Sequence, residues 1–146
     1  MKKLLFTALG AAALSFASPS AAQDVPLVSG DFWNVSEITI DDGHFSEYAD
    51  YLVSAYARNQ AFSKSKGWIK ASYVLANLNK RAGEPDLYLV TISDHITTPA
   101  EDLMREKEFN TYLSQSSRQQ EAGSGARAKF RHLGGTMLLQ EMVYRK

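Results

Sequence analysis

What constrains this chain most is a change of hydrophobic period at each of its glycine and proline breaks. Stretches that alternate every second residue give way to stretches that repeat every third and fourth, and back again. Residues 32–40, Phe-Trp-Asn-Val-Ser-Glu-Ile-Thr-Ile, are aromatic and β-branched and read as a strand. Asp41-Asp42-Gly43 turns the chain, with Asp42 placed to cap a helix. Residues 44–66 carry Phe45, Tyr48, Ala49, Leu52, Ala55, Tyr56 and Phe62 as one apolar helical stripe that Gly67 ends. Residues 68–79 and 86–94 read as two strands of a hairpin across the polar turn Lys80-Arg81-Ala82-Gly83-Glu84-Pro85. Thr98-Pro99-Ala100-Glu101 has the form of a capping box with proline at the first helical position. That helix continues through Leu103, Met104, Phe109, Tyr112 and Leu113. Gly123-Ser124-Gly125 is expected to break it, leaving a short helical piece over 126–133. Gly134-Gly135 then leads into a last strand over 136–145.

The order predicts an α+β fold, a ferredoxin-like β-α-β-β-α-β unit with a four-stranded antiparallel sheet. Two helices cover one face of such a sheet, and the other should be polar. Here it is not. Leu87 and Leu89 lie on one side of the third strand, and Tyr88, Val90 and Ile92 on the other. Met137, Leu139 and Val143 likewise oppose Leu138, Met142 and Tyr144 in the last strand. Both faces want cover, so a homodimer closed through the bare face is expected.

The N-terminus fixes a second expectation. Met1-Lys2-Lys3, an apolar run to about Ala17, and small residues at Ser20 and Ala22 make residues 1–22 a secretory signal peptide cut before Gln23. Residues 23–31 then form a flexible leader, and 32–146 a single domain, periplasmic or secreted. With no cysteine, an exported domain must hold together by packing alone, and thiolate zinc sites and cysteine nucleophiles are excluded. The charges balance at 16 basic and 16 acidic residues, and the signal takes Lys2 and Lys3 with it. That leaves no electrostatic footprint for nucleic acid, and no later stretch of the mature protein spans a membrane.

Over roughly residues 33–144 the chain resembles the dimeric α+β barrels, which include antibiotic-biosynthesis-type monooxygenases, haem-degrading monooxygenases and stress-responsive proteins. The resemblance rests on the strand 34–40 running into Asp42-Gly43-His44-Phe45, on Lys66-Gly67-Trp68, and on the hairpin leading to Thr98-Pro99. It implies a pocket between helices and sheet in each subunit. In the haem-degrading relatives an asparagine on the first strand matters. The matching position here is Ser36, with Asn34 one step further out, which speaks against that chemistry. Residues 114–134 are longer than the family's usual link and are expected to flank the helix layer.

Counting back in twos from the Gly43 turn, Ile40, Ile38, Ser36 and Asn34 should face that pocket. Asn34, Ser36, Tyr48 and Tyr56 are therefore the candidate ligand-binding residues, for a small hydrophobic or aromatic ligand. Tyr51, Trp68 and Tyr73 add further aromatic surface. His95, Tyr56 and Tyr73 are the candidates for proton transfer. Asp94 and His95 are neighbours on a strand and should point apart. Glu37 should lie in the dimer interior, and residues 127–132 make a basic cluster suited to an anion. The three histidines have no metal-ligand spacing, and no cofactor is called for. Two functions follow: a small-molecule-binding protein, or a cofactor-independent lyase, isomerase or oxygenase acting on a small aromatic substrate.

Overall fold

The computed structural model describes residues 25–145. The signal-peptide reading of 1–22 lies outside the described residues. Along the chain run β1 (Leu27–Ile40), α1 (Phe45–Tyr51), a π-helical turn (Leu52–Tyr56), α2 (Ala57–Ser65), β2 (Ala71–Ala76), β3 (Leu87–Ser93), α3 (Pro99–Leu113), α4 (Ser117–Arg127) and β4 (Arg131–Tyr144). α1, the π turn and α2 follow one another without a break, so the described residues hold three helical bodies. The sheet is open, with strand order β2-β3-β1-β4 and every pairing antiparallel.

β1 begins at Leu27 rather than at Phe32, because Leu27, Val28 and Ser29 pair with Tyr144, Val143 and Met142. This part of the supposed leader is therefore strand. The β1–β4 register shifts twice, between Ser29 and Phe32 and between Ser36 and Ile38. At the second shift Gly134 and Gly135 stand opposite Glu37. A side chain on Gly134 would meet Glu37 Cβ at 2.9 Å, so only glycine fits there.

The helix-facing core is Ile38, Tyr48, Leu52, Leu87 and Phe130, with Ile40, Tyr51, Tyr56 and Leu89 packed against it. Ile38 pairs with Leu87, and Ser36 with Leu89, which puts all four on the helix side of the sheet. The opposite face has its own cluster, Val35, Val90 and Ile92, packed by Trp33, Ala71 and Tyr88. Every member of this cluster is a strand residue. Around it Tyr73, Leu75 and Leu139 stay nearly half exposed and Met137 39% exposed.

The α3 start forms as the sequence indicates. Thr98 accepts from the Glu101 N–H, and the Glu101 carboxylate accepts from the Thr98 N–H at 2.8 Å. Other junctions differ. Asp42 does not cap α1; His44 stands there with no side-chain cap bond. The expected break at Gly123-Ser124-Gly125 is absent, and α4 runs through it from a second capping box, Ser116 with Gln119. Two isolated glycines weaken a helix, yet here the cap and the packing of α4 hold it. The expected separate helical piece over 126–133 does not form: 126 and 127 end α4, a turn follows, and β4 starts at Arg131, where Arg131 and His132 pair with Ile40 and Thr39.

Ile38 is 1% exposed at the centre of the helix-facing core. Ile38→Ala should cost about 2–5 kcal/mol of unfolding free energy in urea. Val53→Ala, at a site 75% exposed, should change stability by less than about 0.5 kcal/mol.

Candidate functional site

The π turn organises the most distinctive chemistry of the molecule. Within it the Ser54 hydroxyl donates to the Asp50 carbonyl at 2.5 Å, a side-chain bond of the kind that bends helices. The Ala57 N–H reaches back to the Leu52 carbonyl, the longer spacing of a π turn. The turn holds three phenols together. Tyr48 stacks on Tyr51 at 5.6 Å, and Tyr51 meets Tyr56 at 6.4 Å.

Tyr56 lines a cavity of about 290 Å³ between the helix and β2. Leu52, Ala57, Ala61 and Val74 form its apolar wall, and Gln60, Lys64 and Ser72 its polar edge. Ser72 and Val74 pair with Thr91 and Leu89 and so lie on the helix side of the sheet. Tyr56 Oη is buried with no hydrogen-bond partner. Burial, then the neighbouring Tyr48 and Tyr51, push its phenol up to about 12. Tyr48 is also raised by burial, with Arg131 and Arg127 opposing.

The structure brings only part of the expected site together. Tyr48 is in the core beside Ile38 and is not among the residues lining the Tyr56 cavity. Ser36 is half-buried, paired with Leu89 and Thr136, and Asn34 is exposed between Thr91 and Leu138. Neither lines the cavity; its floor is β2, not β1. Tyr73 pairs with Val90 and therefore lies on the other face of the sheet from Tyr56. Ser72, the β2 residue that does reach the cavity, carries no sequence signal beyond its alternation with Tyr73. Glu37 is held locally, its carboxylate accepting from the Gly135 N–H at 3.1 Å.

Asp94 and His95 do touch, against the expectation that they point apart. β3 ends at Ser93, so the strand alternation no longer governs them. His95 Nδ1 lies 2.5 Å from Asp94 Oδ1, and Nε2 lies 3.0 Å from Glu101 Oε1. Two carboxylates facing both ring nitrogens favour the imidazolium, so His95 is raised, first by Asp94 and then by Glu101. Glu101 is lowered to about 2, chiefly by the Thr98 N–H and hydroxyl and then by His95. This exposed cluster ties the end of β3 to the start of α3, and none of its members is among the residues lining the Tyr56 cavity.

A broader groove of about 590 Å³ runs outside along Phe62, Met104, Thr111 and Tyr112. Its rings already stack on each other at 3.9 Å, and of its charges Lys66 and Glu108 pair at 2.8 Å while Lys107 stays exposed. Nothing in it is left unsatisfied as Tyr56 is. No protein-family model, curated protein or solved structure matches the chain.

The sign of the His95 linkage follows from its partners. Because the folded-state value is raised, this stability is fully present below about 6.5 and is lost as pH climbs above it through the raised folded-state value. Glu101 acts oppositely, its contribution fading as pH falls from about 4.5 towards 2. The β3–α3 junction should thus be tightest between these limits. NMR titration should place His95 above its ordinary midpoint, and Asp94→Asn should lower it more than Glu101→Gln. A midpoint unmoved by Asp94→Asn would refute the assignment.

Proposed function

We propose that this protein is an exported small-molecule-binding protein whose ligand, small and hydrophobic or aromatic, lies between the π turn and β2. The observation that carries this reading is the Tyr56 phenol, buried and without a partner at the wall of an apolar cavity. A buried hydroxyl left unpaired costs about 1–3 kcal/mol, a cost that a ligand carbonyl or ether oxygen would remove. Apolar walls with a few polar groups suit such a ligand. With its phenol pushed up to about 12, Tyr56 stays protonated at neutral pH and can donate a hydrogen bond to a ligand acceptor.

The subunit is read as ferredoxin-like, and its assembly as a homodimer of the dimeric α+β barrel type. The strand order β2-β3-β1-β4 supports the first reading. A strand-only apolar cluster ringed by half-exposed Tyr73, Leu75, Met137 and Leu139 supports the second. Water at such a face is unfavourable by about 25 cal/mol per Å² of apolar surface, and a second copy offers a matching face by symmetry. Residues 1–22, read as a signal peptide, place the protein in the periplasm or outside the cell.

Acetophenone is a suitable probe, since it is flat, small and carries one acceptor. It should raise the thermal midpoint of the wild type. Tyr56→Phe should weaken its binding roughly three- to tenfold, the worth of one hydrogen bond. Ser72→Leu should fill the cavity and abolish binding in a folded protein. Equal binding by all three would rule out this cavity.

For the assembly, sedimentation at micromolar concentration should give a dimer. Leu139→Glu, with like charges meeting at the interface, should give a soluble folded monomer. A wild-type monomer would overturn the dimer.

A further inference from the structure

On the other side of the π turn lies a second cavity of about 410 Å³, roofed by α4. It shares no lining residue with the Tyr56 cavity. Tyr51, Arg58 and Asn59 line it from the helix, Leu113 from the end of α3, and Gly123 and Arg127 from α4. Two arginines thus line one space, Arg58 exposed and Arg127 half-buried, and no carboxylate is among its lining residues. Lys66, Lys70, Lys80, Arg81 and Arg105 each have an acidic partner. Arg58 and Arg127 have none among the described residues, and neither do Lys64, Lys107, Arg118, Lys129 and Arg131; what sets the first two apart is that they line the same cavity.

The second observation is what these groups leave unmet. Arg127 Cζ sits over the Tyr51 ring, 3.9 Å from its centroid, a cation–π contact that holds the guanidinium beside the cavity. Its Nε is buried without a partner, and so is Asn59 Oδ1. An unpaired charged donor and an unpaired acceptor in one cavity ask for an anion and a hydrogen-bond donor together. Gly123 adds a third feature. Glycine inside a helix is less favourable than alanine. Here its missing side chain leaves the cavity open, the closest atom to an added Cβ being an Arg127 guanidinium nitrogen at 3.8 Å.

We propose that this cavity binds a small organic acid bearing a hydroxyl or N–H beside its carboxylate. The carboxylate lies on Arg58 and Arg127, and the neighbouring donor on Asn59 Oδ1. Tyr51, Ala55 and Leu113 take the apolar part, which makes aromatic 2-hydroxy acids a fitting class. The planar fork of Arg127 suits a carboxylate in two-point contact. The site stands apart from the Tyr56 cavity, so either holds without the other.

The test is calorimetric titration of the purified protein with sodium mandelate at constant ionic strength, since simple charge attraction is screened by salt. Mandelate should bind saturably. Methyl mandelate, without the charge, and phenylacetate, without the hydroxyl, should each bind roughly tenfold more weakly or worse. Arg127→Met keeps the stem and removes the charge, and it should weaken mandelate by a similar factor. Gly123→Leu should abolish binding while circular dichroism shows the fold intact. Should that variant not fold, Arg127→Met decides alone. Arg118→Met, on the exposed side of α4, should bind as the wild type does. The proposal is overturned if mandelate does not saturate at millimolar concentration, or if Arg127→Met binds it unchanged. It is also overturned if inorganic phosphate competes as strongly as mandelate, because bare charge would then explain the binding.

Discussion

Ile38 packed beneath Tyr48 and Leu52 is the contact from which the rest of the molecule takes its positions. β1 lies between β3 and β4, so its backbone is bonded on both edges. The end of β1 is held further by Asp86, whose N–H donates to the Ile38 carbonyl and whose carboxylate accepts from the Ile40 N–H at 2.8 Å. Glu37, pointing the other way, is fixed by Gly135. With Ile38 immobile, the helix above it has one way to seat Tyr48 and Leu52. Where Tyr51 and Tyr56 fall is then decided, and with them the two cavities.

The two faces of the sheet are stabilised differently, and the difference bears on assembly. On the helix side Ile38 and Leu87 are covered by α1, the π turn and Phe130. On the other side Val90 is 1% exposed, but its cover comes from strand neighbours. Short side chains are shielded there by larger ones, which themselves face outward. A sheet meant to face water places polar groups at those outer positions. Tyr73, Leu75, Met137 and Leu139 occupy them instead. The same chain holds itself together without a cysteine, so its core must come from packing, and a strand-only cluster gains most from a partner.

Strand and helix order was legible because it rests on periodicity, and periodicity is local. The capping box at Thr98 was legible for the same reason; it needs only residues within one turn. What was not legible depends on contacts made at a distance. Leu27 is strand because β4 reaches it, and no residue near Leu27 says so. The glycines at 123 and 125 read as a break because isolated helices cannot bear them, yet α4 is capped by Ser116 and held through Arg127 on Tyr51 and Arg131 on Ser124. The site shows the same division. Alternation correctly placed Ile38 and Ile40 on the helix side, but not the strand over which the helix leaves a space. That depends on the crossing of the helix over β2, which brings Ser72 rather than Ser36 to Tyr56.

The π turn joins these observations. A regular helix over 52–56 would keep each N–H on the carbonyl four residues back; here the Ser54 hydroxyl donates to the Asp50 carbonyl. Such a turn has poorer hydrogen bonding than the α-helix around it and persists where the surroundings hold it. Here Leu52 anchors it in the core, while Tyr51 and Tyr56 leave it towards different sides. Tyr51 becomes the platform for a guanidinium, and Tyr56 the wall of an apolar space. Five positions along one helical body thus separate a polar cavity from an apolar one. Each cavity is left with a buried polar atom that the protein itself does not satisfy, Asn59 Oδ1 and Arg127 Nε on one side and Tyr56 Oη on the other. Each such atom costs stability while it stays unpaired, and on the reading proposed above a ligand on either side of the turn would supply the missing partner.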